Sequence, residues 1–231
     1  MLRVFHRGIL EEGIEIHLSD DEAHHLFRVL RANAGEKIMV LNGQGCRAYA
    51  YVSDLAAQTI TIERLEFTPP SKITLCPALL KNKAMDFLIR EATAIGVAKI
   101  IPLYTQHSEV KIHNIYEKQN HWNHIAQEAC KQSGNPYLPP IEMPKKLEDV
   151  SFPPNTFVAA LRGNTQNIFS YQREIKNHPI SILIGPEGDF SEQEYQYFSE
   201  NSFYFIHLGK NILRAESAAL YFLSVVDHLK E

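Results

Sequence analysis

Two short apolar runs that end at glycine stand out in the C-terminal third of the chain. The first, Ile180–Ile184, is the kind of run that fills a strand buried on both faces of a sheet. It stops at Gly185-Pro186, because proline has no N–H for the ladder and glycine admits backbone angles closed to other residues. The second run, Tyr204–Leu208, stops at Gly209. We therefore predict two adjacent strands with glycine-bearing loops at their carboxyl ends, where an open α/β sheet binds ligands.

Helical periodicity alternates with further apolar runs after residue 71. Ser191 and Glu194 form a capping-box pattern that predicts the start of a helix. Apolar spacing predicts three more strands, Ile73–Leu80, Val97–Leu103 and Thr156–Leu161, and three helices, Ala84–Ile95, Asn114–Ser133 and Ala215–Lys230. Strands that alternate with helices imply a largely parallel sheet with helices on both faces, so the predicted class is α/β.

The first 66 residues have the pattern of strands, with a single helix among them. The predicted strands are Ile14–Leu18, Lys37–Leu41, Cys46–Asp54 and Thr59–Leu65, with a hairpin turn at residues 42–45. Ser19 and Glu22 predict a capping box for the helix. Phe67–Ser71 contains two prolines, which favour an extended connection. The sequence therefore predicts two domains, residues 1–70 and 71–231.

Arginines near the end of the first predicted helix allow two interpretations. Arg28 and Arg31 are three residues apart, which places them on one face of a helix. Their charge could simply complement the helix dipole, or it could contact RNA. Arg3 and Arg7 could extend the same positive patch.

Composition and charge narrow the class of protein. With 45% hydrophobic and 22% charged residues, the composition is that of an ordinary water-soluble protein. The N-terminus has no signal-peptide core, and three scattered cysteines suit a reducing compartment, so we expect a cytoplasmic protein without a membrane span. The net charge of −4 is unusual for a protein that holds RNA by bulk electrostatics, so any RNA contact must depend on a local patch.

Several motifs in one order and spacing point to a known family. Gly-Pro-Glu-Gly at 185–188 is followed by Leu-Gly-x-x-Ile-Leu-Arg-x-Glu-Ser at 208–217. Earlier segments of the chain extend the match, at residues 24–31, 91–97 and 132–134. With these motifs the chain resembles the SPOUT-class RNA methyltransferases, in particular the family that methylates N3 of a uridine in 16S ribosomal RNA.

The resemblance implies a two-part architecture, a cofactor and partners. It implies a small PUA-like β-barrel that binds RNA, followed by a SPOUT-type α/β domain with a trefoil knot. It further implies binding of S-adenosylmethionine, action on 16S rRNA in the small ribosomal subunit, and a homodimer. The residues that match the family's cofactor loops are Leu161, Ile184, Gly185, Pro186, Glu187, Gly188, Leu208, Gly209, Ile212, Leu213 and Arg214. We expect valine at position 185 to fill the cofactor slot.

The chemistry of uracil methylation suggests which residues would act. N3 must lose its imide proton, and the charge that develops on the ring needs a cation or hydrogen-bond donor. Arg214, in the Leu-Arg-x-Glu motif, is the first choice for the cation. Glu216 is a weaker choice for a polar role, since a carboxylate at a helix N-terminus is favourable without any chemistry. The resemblance favours RNA contact by Arg28 and Arg31, and Arg3 and Arg7, which could extend that patch, are predicted to bind RNA with them.

The chain departs from the family pattern at several charged positions. The family usually has glycine at Asp189, arginine at Asn211, Asn135 and His107, and an acidic residue at Ala94. These changes affect the presumed RNA-facing charges more than the cofactor loops. No metal is expected, because His121 and His124 lack an evident third ligand and adjacent His24 and His25 diverge on a helix. No motif for a nucleoside triphosphate or NAD follows a strand.

Two other hypotheses about function compete with the prediction of a methyltransferase. One is a noncatalytic RNA-binding or ribosome-assembly protein that retains the fold, as the lost charges would allow. Intact Gly-Pro-Glu-Gly and Leu-Arg-x-Glu motifs argue against it. The other is a small-molecule α/β enzyme with an added barrel, which the absence of a nucleophile–base motif disfavours.

Overall fold

The computed structural model describes residues 1–110 and 112–230. Its chain divides into two compact units. The first comprises Met1–Pro70 together with Ala126–Leu138, and the second comprises Ser71–Ile125 and Pro139–Glu231.

The first unit is built on a five-stranded sheet. Its strands are β1 (Leu2–Phe5), β2 (Glu15–His17), β3 (Lys37–Leu41), β4 (Cys46–Asp54) and β5 (Thr59–Phe67), in the order β1-β3-β4-β5-β2. β1 runs parallel to β3, and the other neighbours are antiparallel. Alternate residues of β3, β4 and β5 point into one apolar core that includes fully buried Leu26. The predicted strands β2 to β5 are confirmed within two residues at each end.

The turn between β3 and β4 follows the sequence prediction. The Asn42 side-chain oxygen accepts hydrogen bonds from the backbone N–H groups of Gln44, at 2.8 Å, and Cys46, at 3.0 Å. Gly43 and Gly45 adopt positive φ angles, which side chains other than glycine rarely tolerate. The turn sets the register in which Leu41 lies opposite Arg47.

The helix of the first unit starts differently from its prediction. It consists of α1 (Asp20–Ala23) followed by a π-helical segment, His24–Val29. The predicted capping box is wrong, because the Ser19 side chain makes no capping hydrogen bond. Glu22 is instead buried; one carboxylate oxygen accepts from the Phe5 backbone N–H at 3.1 Å and the other from Lys131 Nζ at 2.9 Å. A buried ammonium offers this carboxylate a stronger partner than a backbone N–H at a helix end.

The second unit contains a five-stranded parallel sheet. Its strands are β6 (Ile73–Pro77), β7 (Lys99–Ile100), β10 (Thr156–Ala159), β11 (Ile180–Ile184) and β12 (Tyr204–Ile206), in the order β12-β10-β11-β6-β7. Every pairing is parallel, so the predicted α/β class is confirmed. The expectation that β11 and β12 are adjacent is wrong, because β10 lies between them. The carboxyl ends of these three strands therefore meet at one edge.

The predicted strand Val97–Leu103 is broken in two. β7 ends at Ile100, and β8 (Leu103–Tyr104) leaves the sheet to pair with β9 (Lys145–Lys146). Pro102 lies at the break, and a proline has no N–H with which to continue a ladder.

Helices cover both faces of the parallel sheet. The helices of the second unit are α2 (Asn82–Ile95), α4 (Gln172–Asn177), α5 (Glu192–Glu200) and α6 (Ala215–Lys230), with 3₁₀ turns at Leu147–Asp149 and Ile168–Tyr171. A further helix, α3 (Ile115–Ser133), begins in the second unit and ends in the first. Phe157 of β10 lies 6.5 Å, centroid to centroid, from Phe222 of α6, while the next residue, Val158, packs in the cluster that contains Phe198 of α5. Because neighbouring strand residues point to opposite faces, α5 and α6 lie on opposite sides, as predicted.

The predicted capping box of α5 is confirmed, and α2 ends at a glycine in a left-handed conformation. Ser191 and Glu194 form the complete capping box of α5, with side-chain-to-backbone distances of 3.2 and 2.7 Å. Gly96 ends α2 in a left-handed conformation, with φ of 109°, and its N–H bonds the Ala92 carbonyl.

Candidate active site

Three loops and the start of a helix enclose a cavity of about 460 Å³ in the second unit. The loops follow β10, β11 and β12, whose carboxyl ends lie side by side, and the helix is α6. The volume falls within the range of about 300–1,000 Å³ that is usual for small-molecule sites. Its position at the strand ends is the usual ligand site of open parallel sheets.

The cavity wall contains most of the residues predicted from the sequence. Those that line it are Leu161, Ile184, Gly185, Pro186, Glu187, Leu208, Gly209, Ile212, Leu213 and Arg214. Gly188 lies outside the lining, where an added Cβ would meet Cβ of His107 at 3.3 Å. Glu216 also lies outside the lining, in the first turn of α6, where its charge is favourable to the helix dipole.

The cavity is also lined by residues that were not predicted from the sequence. They are Ala159, Ala160, Thr165, Asp189, His207, Lys210, Asn211, Ala215 and Ala218. Most are direct neighbours of predicted residues in the same loops. Ala218 lies four residues after Arg214, one helical turn along α6, so helical spacing was the signal for it.

The cavity lining combines small and apolar residues with the backbone of glycine-bearing loops. Ile184 forms a fully buried floor, while Leu161, Leu213 and Ile212 are 58%, 37% and 78% exposed. Gly209 has φ of 133°, a conformation closed to other residues. Such a wall suits a flat, partly apolar ligand that needs only a few hydrogen bonds.

The structure corrects the expected effect of valine at position 185. A Cβ built on Gly185 points toward buried Phe190, at 3.1 Å from a ring carbon, and not into open space. Substitution would therefore act by displacing this core ring. Loss of cofactor binding in Gly185→Val would therefore not show that the cavity itself was filled.

Arg214 and Lys210 are exposed cations that line the cavity, and Arg214 is the one that the sequence predicts. Arg214 lines the wall immediately before α6, and its carbonyl oxygen accepts the first hydrogen bond of that helix from Ala218. The side chain is exposed, and no carboxylate among residues 1–110 and 112–230 lies within ion-pair distance of it. Its guanidinium is free to meet a ligand.

A connected group of side chains joins the loops after β10 and β11. Tyr195 donates its hydroxyl proton to Asp189 Oδ1 at 3.0 Å and accepts from the Leu161 backbone N–H at 3.2 Å. Arg162 Nε lies 3.3 Å from Asp189 Oδ2. Burial, with a further contribution from the Asp189 charge, raises the pKa of Tyr195 to about 12, so the hydroxyl stays protonated at neutral pH.

Two departures from the family pattern lie together in this region. Asp189 adopts a φ of 64°, which is ordinary for glycine and costly for most other residues. His107 Nδ1 lies 2.9 Å from the Asp189 carbonyl oxygen and 3.1 Å from that of Gly188. The histidine thus contacts the same loop in which Asp189 has a positive φ angle.

The four predicted RNA-binding arginines are not equivalent. Arg7 and Arg28 are exposed, whereas Arg3 is partly buried and donates to the Lys131 and Gln132 carbonyls at the end of α3. Arg31 lies beyond the π-helical segment, with φ of 55°. The argument that Arg28 and Arg31 share a helical face is therefore wrong, since only Arg28 is helical.

Comparison with known proteins identifies the family. A model described as RNA methyltransferase domain matches residues 68–227, and one described as RNA methyltransferase PUA domain matches residues 18–63. The chain belongs to the RNA methyltransferase family. The predicted PUA-like first part is thereby confirmed, while the knot stays a prediction.

Relatives named ribosomal RNA small subunit methyltransferase E match most of this family member. The protein of that name from Synechocystis is 31% identical over 93% of the chain and 73% of the relative. That from Bacillus subtilis is 25% identical over 96% of the chain and 93% of the relative. The similarity thus extends through both units.

Solved structures of related methyltransferases have the same fold. The small subunit methyltransferase E from Neisseria gonorrhoeae, bound to S-adenosyl methionine, is 27% identical, covers 99% of this chain and 98% of its own, and gives a TM-score of 0.87. A methyltransferase from Legionella pneumophila with the bound cofactor SAM is 26% identical, covers 98% and 97%, and gives 0.85. The predicted α/β fold is confirmed by these neighbours.

Neither a metal-binding group nor a membrane-spanning helix is found in residues 1–110 and 112–230. Within the described residues, no three His, Cys, Asp or Glu side chains gather as a metal site. His121 Nε2 instead lies 3.0 Å from Asp86 Oδ2. None of the helices over the same residues has the length and apolar character needed to cross a bilayer.

Proposed function

We propose that the protein transfers a methyl group from S-adenosylmethionine to N3 of a uridine in 16S rRNA of the small ribosomal subunit. The observation that carries this proposal is the cavity of about 460 Å³ at the ends of β10, β11 and β12, in a fold whose neighbour from Neisseria gonorrhoeae is bound to S-adenosyl methionine. Residues 71–231 would carry the chemistry, and residues 1–70 would contact RNA.

The residues of the cavity fit this cofactor. Ala159, Ala160 and Ala218 leave room for a planar ring, and the backbone groups of the glycine-bearing loops can bond its polar edge. The bound cofactor supplies an electrophilic methyl group. The exposed apolar residues Leu161 and Ile212 would cover it and exclude water.

Arg214 would act on the uracil ring. Loss of the N3 proton leaves negative charge on the ring and its oxygens, and a preorganised cation lowers the energy of that charge. Arg214 is exposed at the cavity and has no competing carboxylate among the described residues. Glu216, one residue beyond Ala215, is proposed only to orient nearby groups, and a base or solvent takes the proton.

Recognition of the target should depend on folded ribosomal RNA. Uracil N3 is blocked in a base pair, so the nucleotide must be unpaired or extruded before attack. A protein of net charge −4 cannot hold arbitrary RNA tightly. We therefore expect activity on assembled small subunits or a late precursor, and the enzyme would act in the cytoplasm, where these occur.

The exposed arginines of the first unit give a prediction about RNA affinity. Replacing Arg28 and Arg31 together with alanine should raise the KM for RNA about fivefold or more and lower the salt slope by about one to two, because phosphate contacts are lost. Methylation is measured on small subunits at several salt concentrations. Lys37→Ala is the control, since Lys37 is an exposed positive charge in the same unit. An equal effect of Lys37→Ala would contradict the assignment of Arg28 and Arg31 as RNA contacts.

A homodimer is the proposed assembly. Tyr221 is 48% exposed on the outer side of α6, next to half-buried Leu220 and Val225, and such a surface suits a two-fold contact. Light scattering should give twice the 26.4 kDa chain mass at micromolar concentration. Tyr221→Glu should shift the mass toward the monomer, whereas Ser224→Glu should do so only if the contact extends along the helix. An active wild-type monomer would contradict the assembly.

The experiment for the proposed function combines binding with transfer. Calorimetry of the purified protein should show saturable binding of S-adenosylmethionine. Radiolabelled methyl should then move from the cofactor to small subunits purified from cells that lack the gene. The competing function, a noncatalytic RNA-binding protein, predicts binding of subunits without transfer. Absence of cofactor binding by the folded protein would reject the enzyme.

A further inference from the structure

We propose that Asp189 and Tyr195 form a clamp that joins the loop after β10 to the loop after β11 and sets the affinity of the cavity for its cofactor. The inference rests on the proposed S-adenosylmethionine site and adds two positioning residues to it. Neither residue belongs to the Gly-Pro-Glu-Gly or Leu-Arg-x-Glu motif.

The clamp spans two walls of one cavity. Leu161, from the loop after β10, and Asp189, from the loop after β11, both line the cavity. Tyr195 connects them from behind, since its hydroxyl accepts from the Leu161 N–H at 3.2 Å and donates to Asp189 Oδ1 at 3.0 Å. One hydroxyl thereby fixes the distance between the walls.

The direction of these hydrogen bonds is determined by chemistry. The Leu161 backbone N–H can only donate, and an ionised carboxylate can only accept. The tyrosine hydroxyl does both, and it stays protonated because burial raises the pKa of Tyr195 to about 12. Tyr195 is 8% exposed, and the side chain of Asp189 is 12% exposed. The Tyr195 hydroxyl and the Asp189 carboxylate are therefore largely shielded from water.

Further contacts hold Asp189 in position. Its Oδ1 also accepts from the Phe190 backbone N–H at 2.8 Å, and its own N–H donates to the Pro186 carbonyl at 3.1 Å. Arg162 Nε lies 3.3 Å from Oδ2 and neutralises the charge. The same guanidinium bonds Glu192 of α5 at 3.0 Å. These contacts compensate for the unfavourable φ of 64° at Asp189.

Removing the hydroxyl should loosen one wall without touching the reacting groups. Tyr195→Phe leaves the Leu161 N–H unpaired and removes one of the donors to the Asp189 carboxylate, and an unsatisfied partly buried N–H is costly. The wall at Leu161 then opens, so the cavity must be reordered when the cofactor binds. We expect Kd and KM for S-adenosylmethionine to rise about tenfold, with kcat at saturating cofactor changed less than about twofold.

Two further variants distinguish a clamp from general packing. Tyr197→Phe is the matched control, because Tyr197 is also on α5 and its hydroxyl bonds the Leu147 carbonyl at 3.4 Å, away from the cavity. Asp189→Gly removes the carboxylate at a φ that glycine tolerates. Within a clamp, the effects of Tyr195→Phe and Asp189→Gly on affinity should not add, because each removes the same connection.

The proposal is tested by calorimetry with S-adenosylmethionine. The proteins compared are the wild type, the three single variants and the double variant that combines Tyr195→Phe with Asp189→Gly. The clamp predicts wild-type affinity for Tyr197→Phe, a loss of about tenfold for each clamp variant, and a similar loss for the double variant. Wild-type affinity in Tyr195→Phe, an equal loss in Tyr197→Phe, or fully additive losses would each overturn it. If the melting curve shows that Tyr195→Phe does not fold, the comparison of cofactor affinity between Asp189→Gly and Tyr197→Phe tests the clamp instead. No binding by the wild type would instead reject the proposed cofactor site itself.

Discussion

Replacing Arg214 with alanine is expected to lower kcat for methyl transfer about 100-fold or more, because a preorganised donor to a developing charge typically contributes that much. Cofactor affinity should change less than about threefold, since Arg214 is one of many lining groups and its role lies in the transition state. Single-turnover transfer to small subunits and calorimetry of the cofactor measure the two effects separately.

Two variants control this result. Arg214→Lys keeps the positive charge but not the planar fork, so it should recover part of the rate. Arg173→Ala removes an exposed arginine from α4, in the same unit but outside the cavity, and should behave as wild type. A wild-type rate in Arg214→Ala, or a loss that appears only in cofactor affinity, would show that the assigned role is wrong.

Replacing Glu22 with alanine should destabilise the first unit by about 2 kcal/mol or more, since it leaves the buried Phe5 N–H without an acceptor and Lys131 with only the exposed Glu128 as an ion-pair partner. Glu22 bonds both Lys131 Nζ and the Phe5 N–H, and the Glu22 and Lys131 side chains are only 7% and 12% exposed. Hydrogen exchange of amides in β3, β4 and β5 reports the stability of this unit without assuming that the whole chain unfolds in one step.

The control for Glu22 uses the same lysine. Glu128 also bonds Lys131 Nζ, at 2.7 Å, but its side chain is 49% exposed. Glu128→Ala should cost less than about 1 kcal/mol, because solvent screens an exposed pair. Similar losses of amide protection in Glu22→Ala and Glu128→Ala would contradict the importance of burial here.

Local sequence signals predicted the elements whose structure depends mainly on neighbouring residues in the chain. β11 and α6 have the predicted bounds, because a continuous apolar run and a long helical repeat each allow one good solution. The capping box at Ser191 formed, whereas the same pattern at Ser19 did not. The difference is tertiary, since Glu22 meets Lys131, a residue more than a hundred positions away.

The candidate site also has parts that local sequence signals predict and parts that depend on distant segments. Glycines at strand ends indicated the loops around the cavity, because such residues permit turns and close backbone approach. The order of the strands, with β10 between β11 and β12, depends on pairing between distant segments and could not be read from the runs themselves. The link from Tyr195 to Leu161 likewise joins residues 34 positions apart through one side chain, and no spacing rule indicates it.

The proposed activity of this protein is methylation of N3 of a uridine in small-subunit ribosomal RNA. Mass spectrometry of 16S rRNA nucleosides from a strain lacking the gene, complemented with either the wild type or Arg214→Ala, tests it most directly. We predict that 3-methyluridine is absent in the deletion strain, returns with the wild type and stays near the deletion level with Arg214→Ala. An unchanged amount of 3-methyluridine in the deletion strain would contradict the claim.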